Sequence, residues 1–166
     1  MKLSLPGTRH IEAAEIELDG ITVLCGDNGA GNREICERIM ETVEGAFITP
    51  MFDLEWFCKT IKAKSRPPIV GWQYPENDQH PKRQVETAKT ICRRCCAPAA
   101  RVLIVTHSLY ILRAIEVFSA QRGIDTRCHY YLTEPTEGKK DVFRVRNVDG
   151  KTNLIYHEFY MPLEAL

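Results

Sequence analysis

The chain has 166 residues, of which 44% are hydrophobic, and 22 lysine and arginine residues balance 22 aspartate and glutamate residues. A chain of this length usually folds as one domain and buries about 70% of the surface of its unfolded form. We therefore expect a single domain over residues 1–166. The neutral charge balance excludes the overall positive field that is common in nucleic-acid-binding proteins. No signal peptide or membrane-spanning apolar segment is visible, which predicts a cytoplasmic protein without membrane contact.

Seven cysteines are present, and their odd number and irregular spacing do not suggest a disulfide framework. Cys92 and Cys95 have the spacing of a zinc-ligand pair, and Cys128 with His129 offers two more ligands. The chain has no second Cys-x-x-Cys or His-x-x-x-His pair that would complete such a site. The pattern therefore favours reduced cysteines that pack as small hydrophobic residues, and it predicts no metal site.

Strands and helices alternate along the first two thirds of the chain in the hydrophobic pattern. The predicted strands are Lys2–Leu5, Ile11–Leu18, Ile21–Cys25, Ile69–Val70 and Val102–Val105. Helices are predicted over about 35–43, 51–61, 82–96 and 109–120, where apolar residues recur at helical spacing. A basic segment that ends in two prolines, Lys62–Pro68, is expected to be a connector.

In the last third of the chain the hydrophobic pattern predicts strands without intervening helices. Short apolar runs separated by glycine-containing turns predict strands at Cys128–Leu132, Val142–Val145 and Asn153–Tyr156. Alternating strands and helices predict an α/β fold with a mainly parallel sheet between layers of helices. The strands near the end of the chain are expected to add an antiparallel edge to that sheet.

Residues 26–33 read Gly-Asp-Asn-Gly-Ala-Gly-Asn-Arg, between a predicted strand and a predicted helix. This order of elements and glycines is typical of a phosphate-binding loop, whose working pattern is G-x-x-x-x-G-K-[ST]. Here Asn32 replaces the lysine that reaches the phosphates, and Arg33 replaces the hydroxyl that holds Mg²⁺. The candidate nucleotide-contacting residues are Gly26, Asn28, Gly29, Ala30, Gly31, Asn32 and Arg33. The alternative interpretation is a tight turn that binds no ligand.

Arg33 has two interpretations. Its long guanidinium can pair bidentately with phosphate and so replace the missing lysine, although one residue along a helix turns it by about 100°. The alternative is a solvated arginine at the start of a helix.

Three segments together resemble one family. Ile21–Gly31 resembles the phosphate loop of ABC-type ATPases. Pro75–Pro81 resembles the segment that follows their second nucleotide motif, and Val105–Ser108 resembles their switch-histidine segment. The resemblance is to the DNA-repair and anti-phage kind, the relatives of RecF, SMC and OLD proteins that are often called AAA domain ATPases. It implies a three-layer P-loop NTPase-like sandwich. The short connection before Pro75 indicates that the family's helical insertion is reduced or absent.

The chain departs from this family at the residues that perform its chemistry. Gln73 and Tyr74 stand where the family has an aspartate that orders Mg²⁺ and a glutamate that polarises water. A neutral amide is a poor ligand for Mg²⁺, and a phenol is not a general base at neutral pH. No segment between Gly45 and Pro67 matches the family's serine-rich signature. The sequence therefore predicts a pseudo-ATPase.

Retained family residues leave two alternatives open. The resemblance makes His107, which would contact the γ-phosphate, the single catalytic candidate, whereas a histidine after a buried strand is more often structural. Glu76 and His80 match positions near the partner subunit, but both also suit solvated loop residues. The alternative to a pseudo-ATPase is a divergent NTPase in which Arg33, His107, Glu76 or a partner's residues supply the missing groups.

Partners and cofactors follow from the resemblance. Because the family holds nucleotide between two heads, we expect a homodimer or association with an active ATPase. ATP is expected to bind weakly at most, and Mg²⁺ is not expected to bind. The basic segments Lys62–Arg66 and Arg93–Arg94 lack the interleaved aromatic residues that bind single strands, so nucleic acid is not an expected partner.

Overall fold

The computed structural model describes residues 1–50, 53–62, 68–97 and 99–164. It contains eight strands and five α-helices in this part of the chain. The strands are β1 (Lys2–Leu5), β2 (Ala14–Glu17), β3 (Gly20–Gly26), β4 (Phe47–Thr49), β5 (Val70–Gln73), β6 (Arg101–Val105), β7 (Cys128–Pro135) and β8 (Phe143–Asn147). The helices are α1 (Asn32–Thr42), α2 (Leu54–Lys62), α3 (Pro81–Arg94), α4 (Leu109–Gln121) and α5 (Asn153–Glu164).

Six strands form one sheet in the order β4-β5-β6-β3-β7-β8. The first five are parallel, and β8 runs antiparallel to β7 at the edge. Strand β3 lies inside the sheet, where Ile21 pairs with Val102 of β6 and with Cys128 of β7. Strands β1 and β2 form a separate antiparallel pair. The predicted α/β fold with a mainly parallel sheet and an antiparallel edge is confirmed.

Hydrophobic cores cover both faces of this sheet. Along β3, Val23 and Cys25 pack in a core that includes residues of α2, α3 and α4. The intervening Leu24 packs in a second core with residues of α1 and the β1–β2 pair. Because side chains of a strand alternate between faces, α1 covers one face and α2 to α4 cover the other. Near-continuous burial of β3 and β6 follows from this double cover.

This topology places a crevice at the carboxyl ends of β3 and β6. The chain leaves β3 into α1 on one face, whereas it leaves β6 into α4 on the other face. Ligands of open parallel α/β sheets bind where neighbouring strands send their connections in opposite directions. The glycine loop begins where β3 ends, and Thr106 and His107 directly follow β6.

Several predicted elements differ from the structure. The strand predicted at Asn153–Tyr156 is wrong, because these residues begin α5, where Ile155 is fully buried in the core shared with α2 to α4. A short apolar run fits the periodicity of a strand or of a helix, and here its packing against the core selects the helix. The strand predicted at Ile11–Leu18 is shortened to β2, and Ile11 makes only an isolated bridge to Phe143. Strand β4 was not predicted.

The other predicted elements agree with the observed ones to within a few residues. The predicted connector Lys62–Pro68 falls largely on 63–67, which lie outside the described residues. Among the helices of the described chain, none combines the length and the hydrophobicity needed to cross a membrane.

Candidate functional site

The glycine loop joins β3 to α1 and depends on three glycines for its shape. A Cβ on Gly26 would lie 2.7 Å from the carbonyl oxygen of Thr133, so β3 and β7 approach closely there. Gly29 and Gly31 both have φ of 84°, in the left-handed region that glycine tolerates. Gly31 is the N-cap of α1, and no side chain in the described part of the molecule caps this helix start. The loop therefore has the strand, turn and helix order of a phosphate-binding loop.

The remaining loop residues differ in exposure. Asn28 is exposed, whereas Ala30 is buried and its N–H donates to the carbonyl of Asp27 at 3.1 Å. The loop is thus held by its own backbone, with Asn28 at its surface.

Asn32, which stands at the lysine position of the phosphate-loop pattern, is turned into the protein. It is 3% exposed, and its Oδ1 accepts a hydrogen bond of 2.8 Å from the hydroxyl of Thr133 at the end of β7. Its Nδ2 is buried without a hydrogen-bond partner among the described residues. A short amide that is bonded to a neighbouring strand does not reach outward as a lysine would. Thr133 was not singled out from the sequence, where nothing marks it as a partner of Asn32.

Arg33 points along the helix surface. Its side chain is 84% exposed, and its Nε lies 2.9 Å from Oε1 of Glu37, one turn later. This is an exposed i,i+4 ion pair of small energetic value. In this arrangement the guanidinium makes no contact with the glycine loop that would replace the missing lysine.

His107 links the end of β6 to the end of β3. Its Nδ1 lies 2.5 Å from the carbonyl oxygen of Gly26. A carbonyl oxygen only accepts, so Nδ1 carries the proton in this contact. The imidazole also stacks on the ring of Tyr74, with centroids 4.8 Å apart and planes 17° apart. His107 therefore lies at the end of β3, where its Nδ1 bonds to Gly26.

Glu76 is bound to the same end of β6. One carboxylate oxygen accepts the backbone N–H of His107 at 2.7 Å, and the other accepts the hydroxyl of Thr106 at 2.8 Å. Charge-assisted bonds of this kind are stronger than bonds between neutral groups. The structure gives Glu76 a positioning role within one chain, and Thr106 is a further site residue that sequence reasoning missed.

Gln73 is the last residue of β5, and Tyr74 follows it beside His107. Gln73 is 8% exposed, and the N–H of Tyr74 donates to the carbonyl of Val105 at 2.7 Å. Tyr74 has φ of 54°, which is rare for an aromatic residue. Burial raises the pKa of the Tyr74 phenol, and nearby Cys36 and Glu76 raise that pKa further. The phenol is neutral at physiological pH and does not act as a base.

His80 has a structural role in this arrangement. Its Nδ1 accepts the N–H of Lys82 at 3.3 Å and caps the start of α3, where Pro81 takes the first position. Ser108 likewise caps α4, and its hydroxyl donates to Oε1 of Gln84 on α3 at 2.5 Å. Helix caps thus fix the starts of α3 and α4, and the bond from Ser108 to Gln84 adds to the two bonds that Glu76 accepts from Thr106 and His107.

A cavity of about 470 Å³ opens beside the loop and the first turns of α1. Tyr74 forms part of its wall, and four carboxylates line it against two guanidiniums. The guanidiniums of Arg33 and Arg38 are each 2.9 Å from a carboxylate of α1. The charged lining residues are Asp27, Arg33, Glu34, Glu37, Arg38 and Glu41. A lining with four carboxylates and two guanidiniums has a net negative charge, so it repels polyphosphate rather than attracting it.

Five of the seven cysteines are buried core residues. Cys92, Cys95 and Cys128 are buried, whereas Cys96 is exposed. Burial raises the pKa of Cys92 to about 12 and that of Cys128 to about 11. Within the described ranges, no group of three or more His, Cys, Asp or Glu side chains has a geometry that could hold a metal ion.

The residues that should hold a magnesium nucleotide do not fit that group. Gln73 and Asn32 offer neutral amides, and Tyr74 offers a neutral phenol. Glu76 supplies a carboxylate, but both its oxygens already accept hydrogen bonds. Hard cations such as Mg²⁺ prefer free carboxylate oxygens and water.

Neither a scan against models of known protein families nor a search of curated proteins finds a match to this chain.

Proposed function

We propose that this chain is a pseudo-ATPase, a degenerate relative of ABC-type ATPases that keeps the nucleotide-binding framework and has lost hydrolysis. Its role is that of a binding or regulatory protein, as a homodimer or in association with an active ATPase. The location of the glycine loop at the carboxyl edge of a parallel sheet, next to His107, supports the framework. The same edge supports a three-layer P-loop NTPase-like sandwich as the ancestral fold.

The observation that carries the proposal is the state of Glu76. Its two oxygens are occupied by the N–H of His107 and the hydroxyl of Thr106, both within the same chain. Releasing a carboxylate from two such donors in a partly buried site costs about 1.5–3 kcal/mol for each bond. Glu76 therefore serves to hold the end of β6, and it is a poor substitute for the base that Tyr74 has replaced.

Nucleotide binding is weak or absent in this proposal. The backbone N–H groups of the loop and of the uncapped start of α1 can still hold an anion. Opposing this, the carboxylates of the neighbouring cavity outnumber its guanidiniums. We therefore expect weak phosphate or nucleotide binding that Mg²⁺ does not strengthen.

Calorimetry of ATP binding, with and without Mg²⁺ and on protein of known mass in solution, tests the proposal. The expected result is weak or undetectable binding in both conditions and no phosphate release above the buffer rate. Micromolar binding that requires Mg²⁺, together with hydrolysis that a His107→Ala variant abolishes, would establish the divergent NTPase instead. Hydrolysis that this variant does not change would indicate contamination or another site.

A further inference from the structure

One wall of the cavity beside the glycine loop carries a hydrogen-bond donor that the chain does not use. Asn32 lines this cavity and is 3% exposed, and its Oδ1 is held by the hydroxyl of Thr133. Its Nδ2 is buried and has no hydrogen-bond partner among the described residues. Buried donors are almost always paired, because an unpaired one loses its bonds to water and gains none. The amide therefore points to an acceptor that the chain itself does not supply.

The start of α1 adds backbone donors to the same wall. The N–H groups of Asn32, Arg33 and Glu34 lie in the first turn of an 11-residue helix, so they have no partner within it. Gly31 is the N-cap and, within the described ranges, no side chain caps this helix start. Such N–H groups and the positive end of the helix dipole favour an anionic acceptor. Both observations thus favour a small group with anionic oxygen atoms, such as a carboxylate.

The charged lining of the cavity favours a cation close to that anion. Two of its four carboxylates are each 2.9 Å from a guanidinium of the same lining. The other two belong to Asp27 and Glu34, and the side chain of neither makes a hydrogen bond or ion pair with another residue of the described chain. Asp27 lies in the loop and Glu34 in the first turn of α1, so both are close in sequence to the donors. Two uncompensated carboxylates attract an ammonium group and repel a polyanion.

We propose that this cavity binds a small zwitterion, a molecule of amino-acid size that carries one carboxylate and one ammonium group. The carboxylate accepts hydrogen bonds from the start of α1 and from the amide of Asn32, and the ammonium pairs with Asp27 and Glu34. The cavity volume of about 470 Å³ is in the range of small-molecule sites, about 300–1,000 Å³. The inference deepens the proposed function and rests on it, because a bound magnesium nucleotide would fill the same cavity.

Ligands with one kind of charge use only half of this site. Inorganic phosphate would use the donors of α1, but the carboxylates of Asp27 and Glu34 would repel it. A simple amine would pair with these carboxylates, but it would leave the amide of Asn32 without an acceptor. A zwitterion has no net charge, so it satisfies both sets of groups without being repelled.

Calorimetry with free amino acids tests the proposal. The probes are the common α-amino acids, titrated one at a time into the purified full-length chain without nucleotide or Mg²⁺. We expect at least one of them to bind with a Kd below about 1 mM. Its amine analogue without the carboxylate and its acid analogue without the ammonium should each bind about tenfold or more weakly, the loss typical of a charge-assisted hydrogen bond. Inorganic phosphate should also bind about tenfold or more weakly.

Variants of the lining test each half of the site. Asn32→Asp places a carboxylate against that of the ligand, so it should raise Kd by about tenfold or more. Asp27→Asn combined with Glu34→Gln removes both partners of the ammonium and should also raise Kd by about tenfold. The matched control is Glu44→Gln, the same change at an exposed residue that does not line the cavity, and it should change Kd less than about twofold.

The proposal is overturned if none of the amino acids binds, if the amine or the acid analogue binds as tightly as the amino acid, or if neither lining variant weakens binding. Titration of ATP with Mg²⁺ into the same preparation separates this failure from that of the proposed function. Absence of binding in both titrations overturns the zwitterion site alone, whereas micromolar Mg²⁺-dependent ATP binding overturns the pseudo-ATPase. Circular dichroism checks the folding of each variant, and the double variant at residues 27 and 34 decides the question if Asn32→Asp is unfolded.

Discussion

The ring of Tyr74 lies stacked on the imidazole of His107, with their centroids 4.8 Å apart. This contact joins the end of β5 to the end of β6, and the imidazole in turn bonds to Gly26 at the end of β3. Three neighbouring strand ends are thus connected by one tyrosine and one histidine. The edge where a nucleotide would lie is internally bonded, so it keeps its arrangement without a ligand.

Glu76→Gln should destabilise the protein without changing its fold. The amide keeps one acceptor oxygen but places an NH₂ donor against either the N–H of His107 or the hydroxyl of Thr106. We expect the free energy of unfolding to fall by about 1–3 kcal/mol in urea denaturation. The matched control is Glu44→Gln at an exposed turn, which should stay within about 0.5 kcal/mol. Equal effects of both changes would mean that Glu76 is a solvated residue.

Gly31→Ala should cost more stability than Gly29→Ala, although both glycines have φ of 84°. Each change adds about 1–2 kcal/mol of left-handed backbone strain. At Gly29 the new Cβ meets nothing within 4 Å, whereas at Gly31 it would lie 2.3 Å from Cδ1 of Ile11. Overpacking at Gly31 should add about 1 kcal/mol or more, measured by thermal or urea unfolding.

A double-mutant cycle between Gly31 and Ile11 tests this packing. Ile11→Val removes the Cδ1 atom that meets the new Cβ, so it should be less harmful in the Gly31→Ala background than alone. A coupling energy of about 1 kcal/mol between the two sites is expected. Strict additivity would show that the loop is not packed against Ile11.

Cys36 should make stability fall at alkaline pH. Burial raises the pKa of this fully buried thiol from 9.0 to about 12, and Glu37 adds to the effect. Since the folded pKa is the higher one, the contribution is complete below pH 9 and is lost as pH rises toward 12. At pH 10.5 the loss should be about 2 kcal/mol relative to pH 8.

Urea unfolding with reductant at these two pH values measures that loss. The difference between wild type and Cys36→Ala should shrink by about 2 kcal/mol from pH 8 to pH 10.5. A pH-independent difference for Cys36→Ala would mean that this thiol ionises as readily in the folded chain as in the unfolded one.

Completing the phosphate-loop pattern should raise the affinity for ATP. Asn32→Lys with Arg33→Ser gives the loop the pattern G-x-x-x-x-G-K-S, and each new charge-assisted contact with phosphate is worth about 1.5–3 kcal/mol. We expect ATP to bind about tenfold to a hundredfold more tightly in calorimetry. The variant should also be less stable without ligand, because it loses the bond to Thr133 and buries an ammonium.

The control for this restoration is Glu34→Lys, which places a lysine on the same helix start without the loop spacing. If it tightens ATP binding as much as the double variant, the gain comes from net charge alone. No gain in either protein would show that the turn never had phosphate-binding geometry. Turnover is not expected in any of them, since Gln73 and Tyr74 are unchanged.

Local sequence predicted most of the elements that surround the site. Buried parallel strands leave continuous apolar runs such as Val102–Val105, and left-handed turns require glycine, so β6 and the loop at residues 26–31 could be located in advance. Both kinds of signal are short-range. The same reasoning failed at Asn153–Tyr156, because a four-residue apolar run fits a strand or a helix until its packing partner is known.

By itself the sequence determined that positions 32, 73 and 74 carry two amides and a phenol rather than a lysine and two carboxylates, since residue identity decides which protons and ligands are available. Only the tertiary structure decided which partners the polar residues at these strand ends have. Asn32 bonds to Thr133, 101 positions away, and Glu76 bonds to a backbone N–H 31 positions away. Such pairings depend on which strands lie side by side, and strand order is set by the packing of whole faces rather than by any local pattern.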